Sequence, residues 1–249
     1  MRTLLENEAD VEKVNEHRWT PLMYAVQEGR GEFVRALCEH GANVEKPDEF
    51  GSTPLILALE NSRENDVVAV VAVLRALLEN GADVEKPDEH GATPLLLAVH
   101  EGQGEMARAL LENGADVEKV DEHGSTPLFF ALENITENDH EAVLAVVRAL
   151  LENGADVDNV DEGGDSPLHM AVQEGEGDVG VVQALVVAGA APNKVNGDGS
   201  TPLHVAVELG HVAVVLTLLD APDVAVNLKQ LESGWTPLHI AAGSDYKIG

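Results

Sequence analysis

Residues 87–124 read PDEHGATPLLLAVHEGQGEMARALLENGADVEKVDEHG, and the order of residue types within them decides the fold. Thr93 is placed to accept a hydrogen bond from the free backbone donors of a helix start. Pro94 follows at the first helical position, where its missing N–H costs nothing. Leu95, Ala98 and Val99 then share one helical face. Gly102 and Gly104 break that helix, and Met106 to Glu112 predicts a second, with Met106, Ala109, Leu110 and Leu111 as its apolar set. Asn113-Gly114 ends it, because glycine accepts the left-handed backbone. Asp116 to Gly124 is polar and suits a projecting turn. One unit is therefore helix, turn, helix, extended hairpin.

The unit recurs along the chain. Thr/Ser-Pro-Leu begins at Thr20, Thr53, Thr93, Thr126, Ser166, Thr201 and Thr236, with spacings of 33, 40, 33, 40, 35 and 35 residues. Thr20 to Thr93 and Thr93 to Ser166 are both 73 residues, so a block of one short and one long repeat reads as duplicated. Residues 5–17 match residues 111–123 at all but positions 8 and 15. Neither helix of one unit can bury its apolar face alone, so the units must stack to complete a core. Ala25, Ala58, Ala98, Ala131, Ala171, Ala206 and Ala241 hold one equivalent position, where small side chains let helices approach closely.

The phrases Ser166-Pro167-Leu168-His169-Met170-Ala171, Thr201-Pro202-Leu203-His204-Val205-Ala206 and Thr236-Pro237-Leu238-His239-Ile240-Ala241, with Gly-Ala-Asp-Val downstream of several units, resemble the ankyrin repeat. The likeness covers nearly the whole chain. It implies an all-α solenoid of about seven stacked repeats, each a helix-turn-helix plus β-hairpin loop, in a single domain over residues 1–249. The expected layout is a partial repeat over 1–15, then repeats starting near 16, 49, 89, 122, 162, 197 and 232, the last incomplete. The resemblance also implies a binding role, through hairpin tips and the exposed side of the first helices. There are departures. Met23, Ile56, Leu96 and Phe129 replace the motif histidine, so apolar packing is expected there in place of a polar network. Glu45, Glu85, Glu118 and Asp158 stand where the family often has Asn, whereas Asn193 fits, so hairpin bonding should differ between the two halves.

Repeats two and four each carry seven extra residues between their helices, about two helical turns. Asp66 and Asp139 read as N-caps, which predicts lengthened second helices. The valines of Val67 to Leu74 are expected to pack as core; the competing reading is an exposed apolar ledge for a partner or a second copy.

Acidic residues number 45 against 15 basic, for a formal charge of −30. Such a chain repels nucleic-acid phosphates and anionic lipid and attracts basic partners. The second residue before each repeat's glycine is acidic in five successive units: Glu16, Glu49, Glu89, Glu122 and Glu162. Beside them run His17, Phe50, His90, His123 and Gly163. Stacking should set equivalent residues in columns about 10 Å apart. The first helices add Gln27, Glu28, Glu60, His100, Glu101 and Glu133 at their exposed ends, and Trp19, Phe50 and Trp235 are the aromatic anchor candidates. The competing reading is a merely solvated acidic face, copied by duplication.

Catalysis finds thin support. Cys38 aligns with Leu78, Leu111 and Leu151, a core position. No phosphate loop, paired cysteine or His-Glu-x-x-His signature is present, and the histidine columns stand too far apart for metal–ligand bonds near ~2 Å. The expectation is a non-enzymatic interaction module or scaffold without cofactor or metal. It would bind a protein with a Lys/Arg-rich segment, and neither nucleic acid nor membrane. A monomer is favoured over an oligomer, with a cytoplasmic location and secretion as an effector kept open. Both ends read as cut within a repeat, so the alternative is a regulatory or targeting domain of a larger enzyme, channel or secreted effector.

Overall fold

The computed structural model describes residues 2–61, 66–121, 123–133, 140–173 and 178–243. They form two compact units, Met1–Gly124 and Ser125–Gly249. Among the described residues there are fourteen helices and no strands. The first unit holds α1 (Arg2–Glu6), α2 (Pro21–Gln27), α3 (Gly31–Glu39), α4 (Pro54–Glu60), α5 (Val67–Glu79), α6 (Pro94–His100) and α7 (Gly104–Glu112). The second holds α8 (Pro127–Glu133), α9 (His140–Glu152), α10 (Pro167–Gln173), α11 (Val179–Val187), α12 (Pro202–Leu209), α13 (Val212–Leu219) and α14 (Pro237–Gly243). In both units first helices pack on first helices and second on second, giving two layers with the core between them.

The first helices start as the sequence dictates. Thr20, Thr53 and Thr93 are buried, and their hydroxyls accept the backbone N–H of Met23, Ile56 and Leu96 at 3.2, 3.3 and 3.3 Å. The alanine column is buried at Ala25, Ala58, Ala98, Ala131, Ala171 and Ala206, so the first helices stack closely. Met23, Ile56, Leu96 and Phe129 are buried as well; apolar packing does take the place of the motif histidine. His169 and His204 keep the polar version. Ser166 N–H donates to His169 Nδ1 at 3.2 Å, so Nε2 carries the proton and donates to the Ser200 carbonyl at 2.9 Å. His204 likewise reaches the Leu228 and Trp235 carbonyls at 3.1 and 3.2 Å.

The lengthened second helices are present: α5 and α9 have 13 residues where α3, α7 and α11 have 9. Asp66 caps α5, accepting the Val68 N–H at 3.0 Å. Val70, Val73 and Leu74 are buried, Ala69 and Val71 half-buried, and Val67, Val68 and Ala72 exposed, so the apolar run packs one side of α5 into the core and leaves its start in solvent. Asp139 lies outside the described residues. Two readings are refined. The projecting segment is a pair of turns rather than a hairpin of strands, with one backbone bond, Asp88 N–H to Ala92 C=O at 3.0 Å, closing its tip. Cys38 is half-buried rather than core, because α3 turns its last residues toward solvent. Burial still pushes its thiol pKa up, the opposite of what a nucleophile needs.

Candidate functional site

The tips of the first unit at residues 15–19, 48–52 and 88–92 are each built by one Asp or Asn placed just before the acidic residue. Asp48 Oδ1 accepts the N–H groups of Phe50 and Ser52 at 2.9 and 3.0 Å. Asp88 does the same for His90 and Ala92 at 2.9 and 2.8 Å, and Asn15 for His17 and Trp19, both at 3.0 Å. The side chain mimics a backbone turn and fixes the tip without strands. Its neighbours Glu16, His17, Glu49, Phe50, Glu89 and His90 are thereby exposed. His17 and His90 each lie near the preceding glutamate, at 3.8 and 3.6 Å.

Glu60, at the end of α4, shows that the palm and the tips form one acidic field in the first unit. Burial raises its pKa first, the negative charges of Asp48, Asp88 and Glu89 raise it further, and the Ser52 hydroxyl, donating at 3.4 Å, opposes them. A carboxylate at a helix C-terminus also opposes the helix dipole. Three acidic groups from two tips therefore act on one carboxylate at the end of a helix. At the same place in α10 the carboxylate is replaced by Gln173, whose Nε2 donates to Asp165 at 3.3 Å.

The other expected residues fall as follows. In the first unit Gln27 and Glu101 are half-buried, Glu28 and His100 are exposed, and His123 is exposed. Glu28 pairs with Arg30 at 3.3 Å, and His100 Nδ1 lies 3.1 Å from Glu101. In the second unit Glu133, Glu162 and Trp235 are exposed. Glu122 lies outside the described residues. Trp19 is half-buried in its own turn, which leaves Phe50, 65% exposed beside Glu49, as the aromatic at the tips of the first unit. Two tips of the second unit touch: Gly197 N–H donates to Gly163 C=O at 2.9 Å, an approach that a Cβ on Gly197 would block. Among the described residues no group of three or more His, Cys, Asp or Glu could hold a metal ion. No described helix is long and apolar enough to cross a membrane.

Sequence reading missed a stapling role at the bases of the fingers. Glu12 accepts the Asn43 N–H at 2.9 Å and pairs with Lys46 at 2.8 Å. Glu45 accepts the Asp83 N–H at 2.8 Å and pairs with Lys86 at 2.9 Å; Glu85 accepts the Asp116 N–H at 2.9 Å. In the second unit Asp158 accepts from Ala191 at 2.9 Å and Asn193 from Ala225 at 2.7 Å. The inter-repeat acceptor is thus kept in both halves, and the longer glutamate adds an ammonium partner. For Glu12, burial penalises the charged form, but the Asn43 amide and Lys46 outweigh it and hold the pKa below the usual value. The signal was in the phrase Val-Glu-Lys, whose lysine returns one repeat later.

In each unit helix pairs form two layers and carry polar tips fixed by turns. Ankyrin-repeat family profiles match residues 1–88, 69–161 and 168–248, and a further one residues 139–186. The chain belongs to the ankyrin repeat family. Among solved structures it is similar to the ankyrin repeat domain of Bcl-3, described as a unique member of the IkappaB protein family. That match has 32% identity and a TM-score of 0.70, over 91% of this chain and 95% of that one. It is also similar to an ankyrin repeat domain from Acinetobacter baumannii, at 29% identity and TM-score 0.64 over 81% and 97% of the two chains. The human ASB11 ankyrin repeat domain matches at 27% and 0.62 over 90% and 93%. Comparison with curated proteins gives no match.

Proposed function

We propose that this ankyrin repeat domain is a protein-interaction scaffold that holds a Lys/Arg-rich segment of a partner against its fingertips and the ends of its first helices. The carrying observation is the convergence on Glu60, at the end of α4, of the negative charges of Asp48, Asp88 and Glu89 from two neighbouring tips. A fold gains nothing from crowding like charges, whereas a cationic side chain lodged among them relieves that cost and repays its own desolvation. Glu49 and Phe50 at the neighbouring tip supply a further carboxylate and an exposed ring that a guanidinium or ammonium can cover. The surface is held by Asx turns and stapled bases, so little ordering cost falls on this side.

The test is calorimetric titration of the full chain with an arginine- and lysine-rich peptide at several salt concentrations. Wild type should bind, with affinity falling steeply as salt rises. A Glu49→Lys/Glu60→Lys/Glu89→Lys variant should lose at least about tenfold, given the size of interfacial charge couplings. Equal affinity of both proteins, or binding indifferent to salt, would discard the acidic site.

A further inference from the structure

Two side chains of the second unit reach forward by habit and here find nothing. His169 donates from Nε2 to the carbonyl of Ser200, and His204 to that of Trp235, each the residue just before the next Thr-Pro start. His239 has the same ring setting, with Nδ1 accepting the Thr236 N–H at 3.3 Å, yet its Nε2 has no acceptor among the described residues. Asn193 donates to the Asp223 carbonyl and accepts the Ala225 N–H, both at 2.7 Å. Asn227, its counterpart one repeat on, is exposed and makes no such bond among the described residues.

The first unit carries the matching groups. Trp19 stands just before Thr20, as Ser200 and Trp235 stand before Thr201 and Thr236. Glu8 adopts the left-handed backbone of Asp223, φ +59° against +62°, and Asp10 follows it as Ala225 follows Asp223. Beside them lies an open apolar groove of about 290 Å³, lined by Leu4, Leu5, Pro21, Tyr24, Phe33 and Leu37. Leu4 is 66% exposed, although its counterparts Leu77, Leu110, Leu150 and Leu185 are buried. Tyr24 is exposed where Leu57 and Val205 are buried. On α14 the odd residue is Leu238, 75% exposed, whereas Leu55, Leu95, Leu128, Leu168 and Leu203 are buried.

We propose that copies of this chain associate head to tail, with α14 of one copy seated in the groove of α1 and α2 of a second. It packs there as first helices pack on one another within each unit. In that register the His239 Nε2–H meets the Trp19 carbonyl of the second copy. Asn227 meets its Glu8 carbonyl and Asp10 N–H, and Leu238 turns toward Leu4. One register thus satisfies the histidine, the asparagine and the exposed apolar residues together, which identifies the occupant as a second copy. The contact uses two different surfaces, so each pair keeps one of each free and association continues past the dimer. This departs from the monomer expected from sequence.

Sedimentation velocity on the full chain tests this. Wild type should form dimers and larger species as concentration rises, more so in added salt, which screens the net charge of −30 and favours apolar burial. Tyr24→Glu and Leu238→Glu should each be monomeric with unchanged melting temperature, because both side chains are already in water. Mixed together, the two variants should form a heterodimer and nothing larger, since each keeps the surface the other has lost. His239→Phe should weaken association about fivefold. Leu216→Glu, on the outer face of α13, should leave it unchanged. Wild type that stays monomeric, or stops at a dimer, would overturn the proposal. So would variants that assemble like wild type, a mixture that stays monomeric, or assembly lost on Leu216→Glu.

Discussion

At the scale of single residues, the fingertips depend on backbone conformation as much as on charge. Gly91 has φ +83°, and a Cβ there would meet nothing within 4 Å. Gly91→Ala should therefore cost about 1 kcal/mol through backbone strain alone, read by urea denaturation. A cost near zero would show that the turn relaxes. At the base of the finger, Glu45 combines an amide acceptor with an ion pair. Glu45→Gln keeps the first and loses the second. It should cost about 0.5 kcal/mol, because the Lys86 pair is substantially solvated. Glu45→Ala also removes the partner of the Asp83 N–H and should cost about 1–2 kcal/mol. Equal costs for the two variants would mean that the ammonium, not the amide, is what matters.

At the scale of helices, the two units differ in what pins a first helix to its neighbour. The first unit uses Met23, Ile56 and Leu96, which have no proton to gain. The second uses His169 and His204, whose pKa values burial lowers from 6.5 against the raising effect of the carbonyls they face. A base with a depressed folded pKa favours the neutral form. Its contribution is whole above the unfolded value and is lost as pH falls through the folded one. Hydrogen exchange should therefore show α10 to α13 opening on acidification below about pH 6.5 before α2 to α7 do. His169→Met should flatten that pH dependence. It should cost about 1–3 kcal/mol at neutral pH by orphaning the Ser200 carbonyl. A variant with the wild-type pH profile would assign the sensitivity elsewhere.

At the scale of the whole molecule, a net charge of −30 governs association. Across a salt series, capture of a basic segment weakens as the Debye length shortens from about 30 Å to about 8 Å. The melting temperature of the chain should rise over the same series, since screening removes self-repulsion from the compact state.

The 33-residue period, the Thr-Pro caps, the alanine column and the lengthened α5 were legible in the residues, because helix starts, stops and apolar faces are encoded within a few positions of one another. The exposed tips were legible for the same reason, although the turns that hold them needed the Asx bonds to be seen. What the tertiary structure alone decided joins residues some thirty to forty positions apart. The Glu45 carboxylate sits on the amide of Asp83, and the charges of Asp88 and Glu89 fall on Glu60. Hydrogen bonds and Coulomb terms depend on distances set by how one repeat leans on the next, and a repeat period names the neighbours without measuring how far apart they lie.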